Sequence, residues 1–138
     1  MGLYLCVFDG DEELEGVEVG RYGDFGWFRD TVRDQLEGRV AGARFPTLML
    51  HSDCDGSWSP SEAATLRKEL QALSAALAKL PPVPLPADDW QTTIAAERSL
   101  APKSLLDCFF DVDGEPLLTR LMGLCDVAIE RRLPILFQ

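Results

Sequence analysis

Short apolar runs stand near both ends of the chain, and between them apolar residues recur at helical spacing. Residues 3–8 (LYLCVF) are apolar, aromatic and few, as in a buried strand. Residues 9–16 (DGDEELEG) read as a turn-rich acidic segment, and the alternating GVEVG that follows reads as a short second strand. Phe25, Phe28, Val32 and Leu36 then fall at steps of three and four, the buried stripe of a helix. Arg29, Asp30, Arg33 and Asp34 fall on its wet side. Asp24 is placed to cap that helix and Gly38 to end it, near Glu37. Residues 43–50 (ARFPTLML) read as extended, with Pro46 restricting them to an edge.

The clearest helix runs from Pro60 to about Leu80. Leu66, Leu70, Leu73, Leu77 and Leu80 form a narrow seam suited to packing on another helix. The seam is too short for a coiled-coil dimer, so its partner is expected within the chain. Four prolines among residues 81–86 predict an extended strap over the surface. Trp90, Ile94 and Ala95 mark a short helix, and residues 105–110 (LLDCFF) fit either a strand or a helix end. Pro116 is placed for the first turn of a last helix. Leu117, Leu118, Leu121, Leu124, Cys125, Ala128 and Ile129 cover a wide face of it, which predicts a central position. Arg131 and Arg132 suit the negative end of its dipole. LPILF, near the C-terminus, reads as a strand. The sum is an α+β fold, a single compact domain over residues 1–138 with a small sheet packed against several helices.

Composition narrows the function. The 138 residues are 46% hydrophobic and 26% charged, with a formal net charge of −10. Nucleic acid is excluded as a partner by that charge, since phosphate binding needs clustered Lys and Arg. A basic protein partner is favoured instead. No apolar run approaches the ~20 residues of a membrane helix. The opening residues turn acidic at once, unlike a secretory leader. Cys6, Cys54, Cys108 and Cys125 form no CxxC pair, and the apolar runs around Cys6 and Cys125 suit free thiols. Reduced thiols point to a cytoplasmic protein.

One stretch invites a chemical reading. Residues 51–62 (HSDCDGSWSPSE) follow a calcium-loop pattern, with Asp53, Asp55, Gly56 and Glu62 in place and His51 where the first Asp belongs. A divalent-cation module would use His51, Asp53, Asp55 and Glu62. Histidine is a poor ligand for a hard cation, however. Ser59-Pro60-Ser61-Glu62 is also a helix capping box, which accounts for Glu62 without a metal. Asp53, Asp55 and Gly56 are ordinary turn residues. A small hydrolase is the third reading. The lone His51 and the lack of a nucleophile motif count against it. Asp111-Val112-Asp113-Gly114 repeats the loop pattern, but Arg120 stands where a closing Glu is needed, so it reads as a turn.

MGLYLCVFD, RFPTLMLHSDCDGSW, CFFDVDGEPLL and LPILFQ together resemble the bacterial immunity protein 70 family across nearly the whole chain. The resemblance implies a cytoplasmic antitoxin that binds and neutralises a polymorphic toxin domain, with no catalysis and no cofactor. A basic nuclease would suit the acidic charge. The residues expected at such a contact are Asp11, Glu12, Glu13 and Glu15 in the acidic segment, and Asp53, Asp55 and Trp58 in the loop.

Overall fold

A computed structural model describes residues 2–138. It has a four-stranded antiparallel sheet and five helices in one α+β domain. Strand β1 (Gly2–Asp9) pairs with β2 (Glu12–Arg21) through a two-residue turn, where Gly10 adopts φ +62°. The last strand, β4 (Ile135–Phe137), lies on the other side of β1, and β3 (Ser57–Trp58) pairs with β4. The order β2-β1-β4-β3 therefore joins the two ends of the chain in the sheet centre.

The acidic segment read as a turn is the first half of β2, a strand of 10 residues. Register shifts between Leu3 and Tyr4, and between Val7 and Phe8, insert unpaired residues into β2. They break the two-residue alternation that would have marked the strand.

Helix α1 (Tyr22–Leu36) starts two residues before Asp24. Arg21 is the N-cap, and Asp24 accepts the Arg21 amide at 2.7 Å from the third helical position. The carboxylate still serves the helix start, one turn further in than the sequence suggested. Residues 46–49, expected to be extended, form one turn of helix, α2 (Pro46–Met49). Pro46 occupies its first position, where no amide is needed. The start of α2 is capped from a distance: Glu69 accepts the amides of Thr47 and Leu48 at 3.1 and 3.0 Å.

Helix α3 (Pro60–Leu77) ends before Leu80, which packs on the core from the following turn. Its leucine seam meets α5 (Leu117–Arg131), as expected of an intramolecular partner. The proline strap lies between α3 and α4 (Trp90–Glu97), with Val83 and Leu85 turned to the core. Residues 105–110 resolve into a single 3-10 turn at Leu106–Cys108 and an isolated bridge from Phe110 to Pro116. Pro116 is the N-cap of α5 rather than its first residue. Ile129, assigned to the buried face of α5, is 39% exposed.

Helices α1, α3 and α5 share one core with Leu3, Leu5, Val7, Val17, Ile135 and Phe137 of the sheet. Tyr4, Phe8 and Leu136 belong to neither the core nor the residues packed on it. All the helices in contact with the sheet thus cover the same side of it.

Candidate binding surface

Side-chain alternation decides what the uncovered side of the sheet carries. Tyr4 pairs with Glu18, Cys6 with Gly16 and with Leu136, Phe8 with Glu13, and Ser57 with Leu136. Directly paired residues point the same way. The outward face is therefore a strip of Tyr4, Cys6 and Phe8, with Glu13, Gly16 and Glu18 on one flank and Leu136 and Ser57 on the other. Gly16 has a specific use. A Cβ there would sit 1.9 Å from the Tyr4 hydroxyl, so only glycine lets the ring lie across β2. The hydroxyl donates to Glu13 at 2.5 Å. That bond, then burial, pushes the phenol up to about 12. The Cys6 thiol beneath is fully buried, and burial followed by the Glu13 charge pushes it up to about 11.

The acidic residues proposed for contact separate on this frame. Glu13 faces outward, whereas Glu15 pairs with inward-facing Val7 and lies 3.7 Å from Arg120 of α5. Asp11 and Glu12 are exposed around the hairpin turn and make no ion pair among the described residues. Arg120 also donates to the Gly16 carbonyl at 2.6 Å, and the Val112 amide donates to the Glu18 carbonyl at 3.2 Å. The free edge of β2 is closed at those two carbonyls.

The 51–62 stretch lies at the opposite edge. His51 stacks on Phe137 at 4.2 Å, its ring 17° from parallel. Its Nδ1 faces the Ser52 carbonyl at 2.8 Å and its Nε2 the Ser57 carbonyl at 3.0 Å. Glu62 accepts the Ser59 amide at 3.0 Å and Ser59 accepts the Glu62 amide at 3.1 Å, so the capping box forms as read. The Ser59 amide, then its hydroxyl, holds the Glu62 carboxyl below its usual range. His51 and Glu62 are thus oriented by backbone groups. Among the described residues, no three His, Cys, Asp or Glu side chains come together as a metal site.

Trp58, one of the residues expected at the contact, is 1% exposed. It sits edge-on to Phe137 and donates its indole N–H to the Thr47 carbonyl at 3.0 Å. Pairing of β3 with β4 turns it inward, and burial removes it from any contact surface. Asp55 is exposed and Asp53 half-buried. Arg29, expected on the wet side of α1, is half-buried. It donates to the carbonyls of Leu48, Met49 and His51 at 3.2, 3.4 and 2.8 Å. Burial lowers its pKa, opposed by Asp53 and Asp30. A cation thus satisfies the C-terminal carbonyls of α2 and fixes where the 51–58 loop begins.

A half-open cavity of about 410 Å³ lies elsewhere, between α3, α5 and residues 100–110. It is walled by Leu106, Phe109, Leu118 and Met122, and none of the sequence-predicted site residues reaches it. Its one carboxylate, Asp107, accepts the Lys103 amide at 3.0 Å. No described helix is long and apolar enough to cross a membrane.

The fold and this surface define a small, acidic α+β protein with one sheet face left uncovered by helices. The chain belongs to the immunity protein 70 family, whose model matches residues 3–137. Membership implies an immunity protein acting against a toxin. No similarity to a curated protein or to a solved structure reaches significance.

Proposed function

We propose that this protein is a cytoplasmic antitoxin of a polymorphic toxin system, which binds a cognate toxin domain and neutralises it without catalysis or cofactor. The observation that carries the mechanism is the uncompensated acidic hairpin. Asp11, Glu12 and Glu18 are exposed on β1–β2 without an ion-pair partner among the described residues, in a chain of net charge −10. Such a field speeds encounter with a basic surface and selects against acidic ones. A basic nuclease fits that description. The contact draws on Asp11, Glu12 and Glu13 at the hairpin, with Glu15 behind them on Arg120.

The test is co-expression with the toxin domain encoded in the gene neighbourhood, followed by calorimetry on the purified pair at several salt concentrations. Rescue of growth, and an affinity that falls as salt rises, are expected. Absence of rescue refutes the antitoxin reading. Rescue with salt-independent affinity refutes electrostatic complementarity alone.

A further inference from the structure

Three features of the sheet narrow where a partner can bind. First, the outward face is the one broad sheet surface without a helix over it, and it carries half-buried Tyr4, Phe8 and Leu136. Second, its charge has one sign. Glu13 and Glu18 stand on it, and Asp11 and Glu12 extend it at the turn. The only Lys or Arg in the four strands is Arg21, at the far end of β2, which is held in ion pairs with Asp24 and Asp89. Third, the β2 edge is closed by Arg120 and Val112, so a partner strand cannot add along Gly16 and Glu18.

We infer that the outward sheet face, centred on Tyr4, Phe8 and Leu136 and rimmed by Glu13 and Glu18, is the docking surface for a basic face of the toxin domain. This rests on the neutralisation reading and goes beyond it, because it assigns recognition to the face rather than to the 51–58 loop or the strand edge. The occupant's chemistry follows from the layout. Lys or Arg side chains lay their aliphatic stems over Tyr4 and Phe8 and bring their charged ends to Glu13 and Glu18. Tyr4 is already fixed by Gly16 beneath it and Glu13 beside it, so little side-chain freedom is lost on binding. A second copy of this chain is disfavoured, since its own carboxylates would meet like charges.

The experiment compares two charge-reversed proteins against the toxin domain from the gene neighbourhood. One carries Glu18→Lys with Leu136→Lys on the face; the other carries Asp53→Lys with Asp55→Lys in the loop. Both are first shown to melt as the wild type does, and Glu18→Gln stands in if the double face variant does not fold. The expected result is a fall in affinity on the order of 10- to 100-fold for the face variant, chiefly in association rate, with the loop variant unchanged. The reverse ranking overturns the face assignment and leaves neutralisation standing. A wild type that binds no toxin overturns both. A concentration-dependent dimer of the wild type that Leu136→Lys dissolves gives the face to a second copy and also overturns the assignment.

Discussion

Glu37 should be among the most costly side chains in this protein to replace. It follows α1 and is 5% exposed, yet it makes no ion pair among the described residues. Its carboxylate instead accepts three backbone amides, Gly42 at 3.1 Å, Arg44 at 2.9 Å and Phe45 at 2.9 Å. Those bonds fold residues 38–45 back on the helix end and deliver Phe45 to the core. In Glu37→Ala all three donors lose their acceptor. The Phe45 amide is buried and suffers a full desolvation penalty of about 2 kcal/mol. The other two are partly hydrated and suffer about half as much each. The expected loss is ~4 kcal/mol, a large share of the roughly 5–15 kcal/mol that holds a domain folded. Glu37→Gln keeps one acceptor oxygen but sets an NH2 group against an amide, so a loss of about 2 kcal/mol is expected. Urea unfolding followed by far-UV circular dichroism gives both numbers. The midpoint should fall in the order wild type, Gln, Ala, with the slope unchanged. A Glu37→Ala protein within 1 kcal/mol of wild type would show that water replaces the carboxylate freely and that the 38–45 loop does not depend on it.

Other expectations follow from single contacts. Asp24 is desolvated, but bonds from the Trp90 indole, the Arg21 amide and Gln91 outweigh that and hold its carboxyl below the ordinary 3.8. Its contribution is therefore present at neutral pH and fades as the pH falls through about 4 and below. Asp24→Asn should flatten that part of the stability–pH curve, and an unaltered curve would refute the assignment. Ser59→Ala removes the acceptor for the Glu62 amide and should cost ~1 kcal/mol in thermal or urea unfolding; no change would mean the capping box is ornamental. Cys54 is exposed, whereas Cys6, Cys108 and Cys125 are buried, with burial pushing their thiols up, to about 11 for Cys6 and about 12 for Cys125. A thiol reagent should label one cysteine quickly in the native protein and four in urea; rapid native labelling of a second would contradict the packing.

Local signals in the sequence read well, and signals that depend on distant residues read poorly. LYLCVF, the leucine seam and the Ser59–Glu62 box each carry their evidence within a few residues, and each appears in the fold. The start of β2 was hidden because Glu-rich residues are poor strand formers and two bulges disrupt the alternation. Helix α2 was hidden because its caps come from Glu69, 21 and 22 residues on, and from Arg29, 19 and 20 residues back. A four-residue helix has no periodicity to read. The burial of Trp58 was not legible for the same reason, since the Phe137 ring that covers it lies at the other end of the chain. The outward face was half legible. Tyr4, Cys6 and Phe8 fall at alternate positions, but only the pairing shows which alternate set the helices leave bare.

Net charge alone would have spread the acidic surface evenly over the protein, and the hydrogen bonds show why it is not even. Of the 23 carboxylate side chains, eight accept backbone amides of the described residues: Glu15, Asp24, Glu37, Glu62, Glu69, Asp89, Asp107 and Asp111. Seven of these serve helix starts and loops on the helical side of the molecule, where their charge meets amide dipoles. Asp111 goes further: it is 1% exposed, satisfies the amides of Asp113 and Glu115, and sits 3.7 Å from Arg120. Arg120 is the same side chain that closes the β2 edge at Gly16. One arginine thus ties a buried turn, the last helix and the strand edge together, and its charge is turned away from the outward face. Among the described residues, Glu13 and Glu18 on that face meet no opposing cation, and Asp11 and Glu12 prolong their charge at the turn. The bare face and its turn thus hold four exposed carboxylates that neither amides nor arginines offset among the described residues, whereas the carboxylates that cap helices and loops are already matched to amides or arginines.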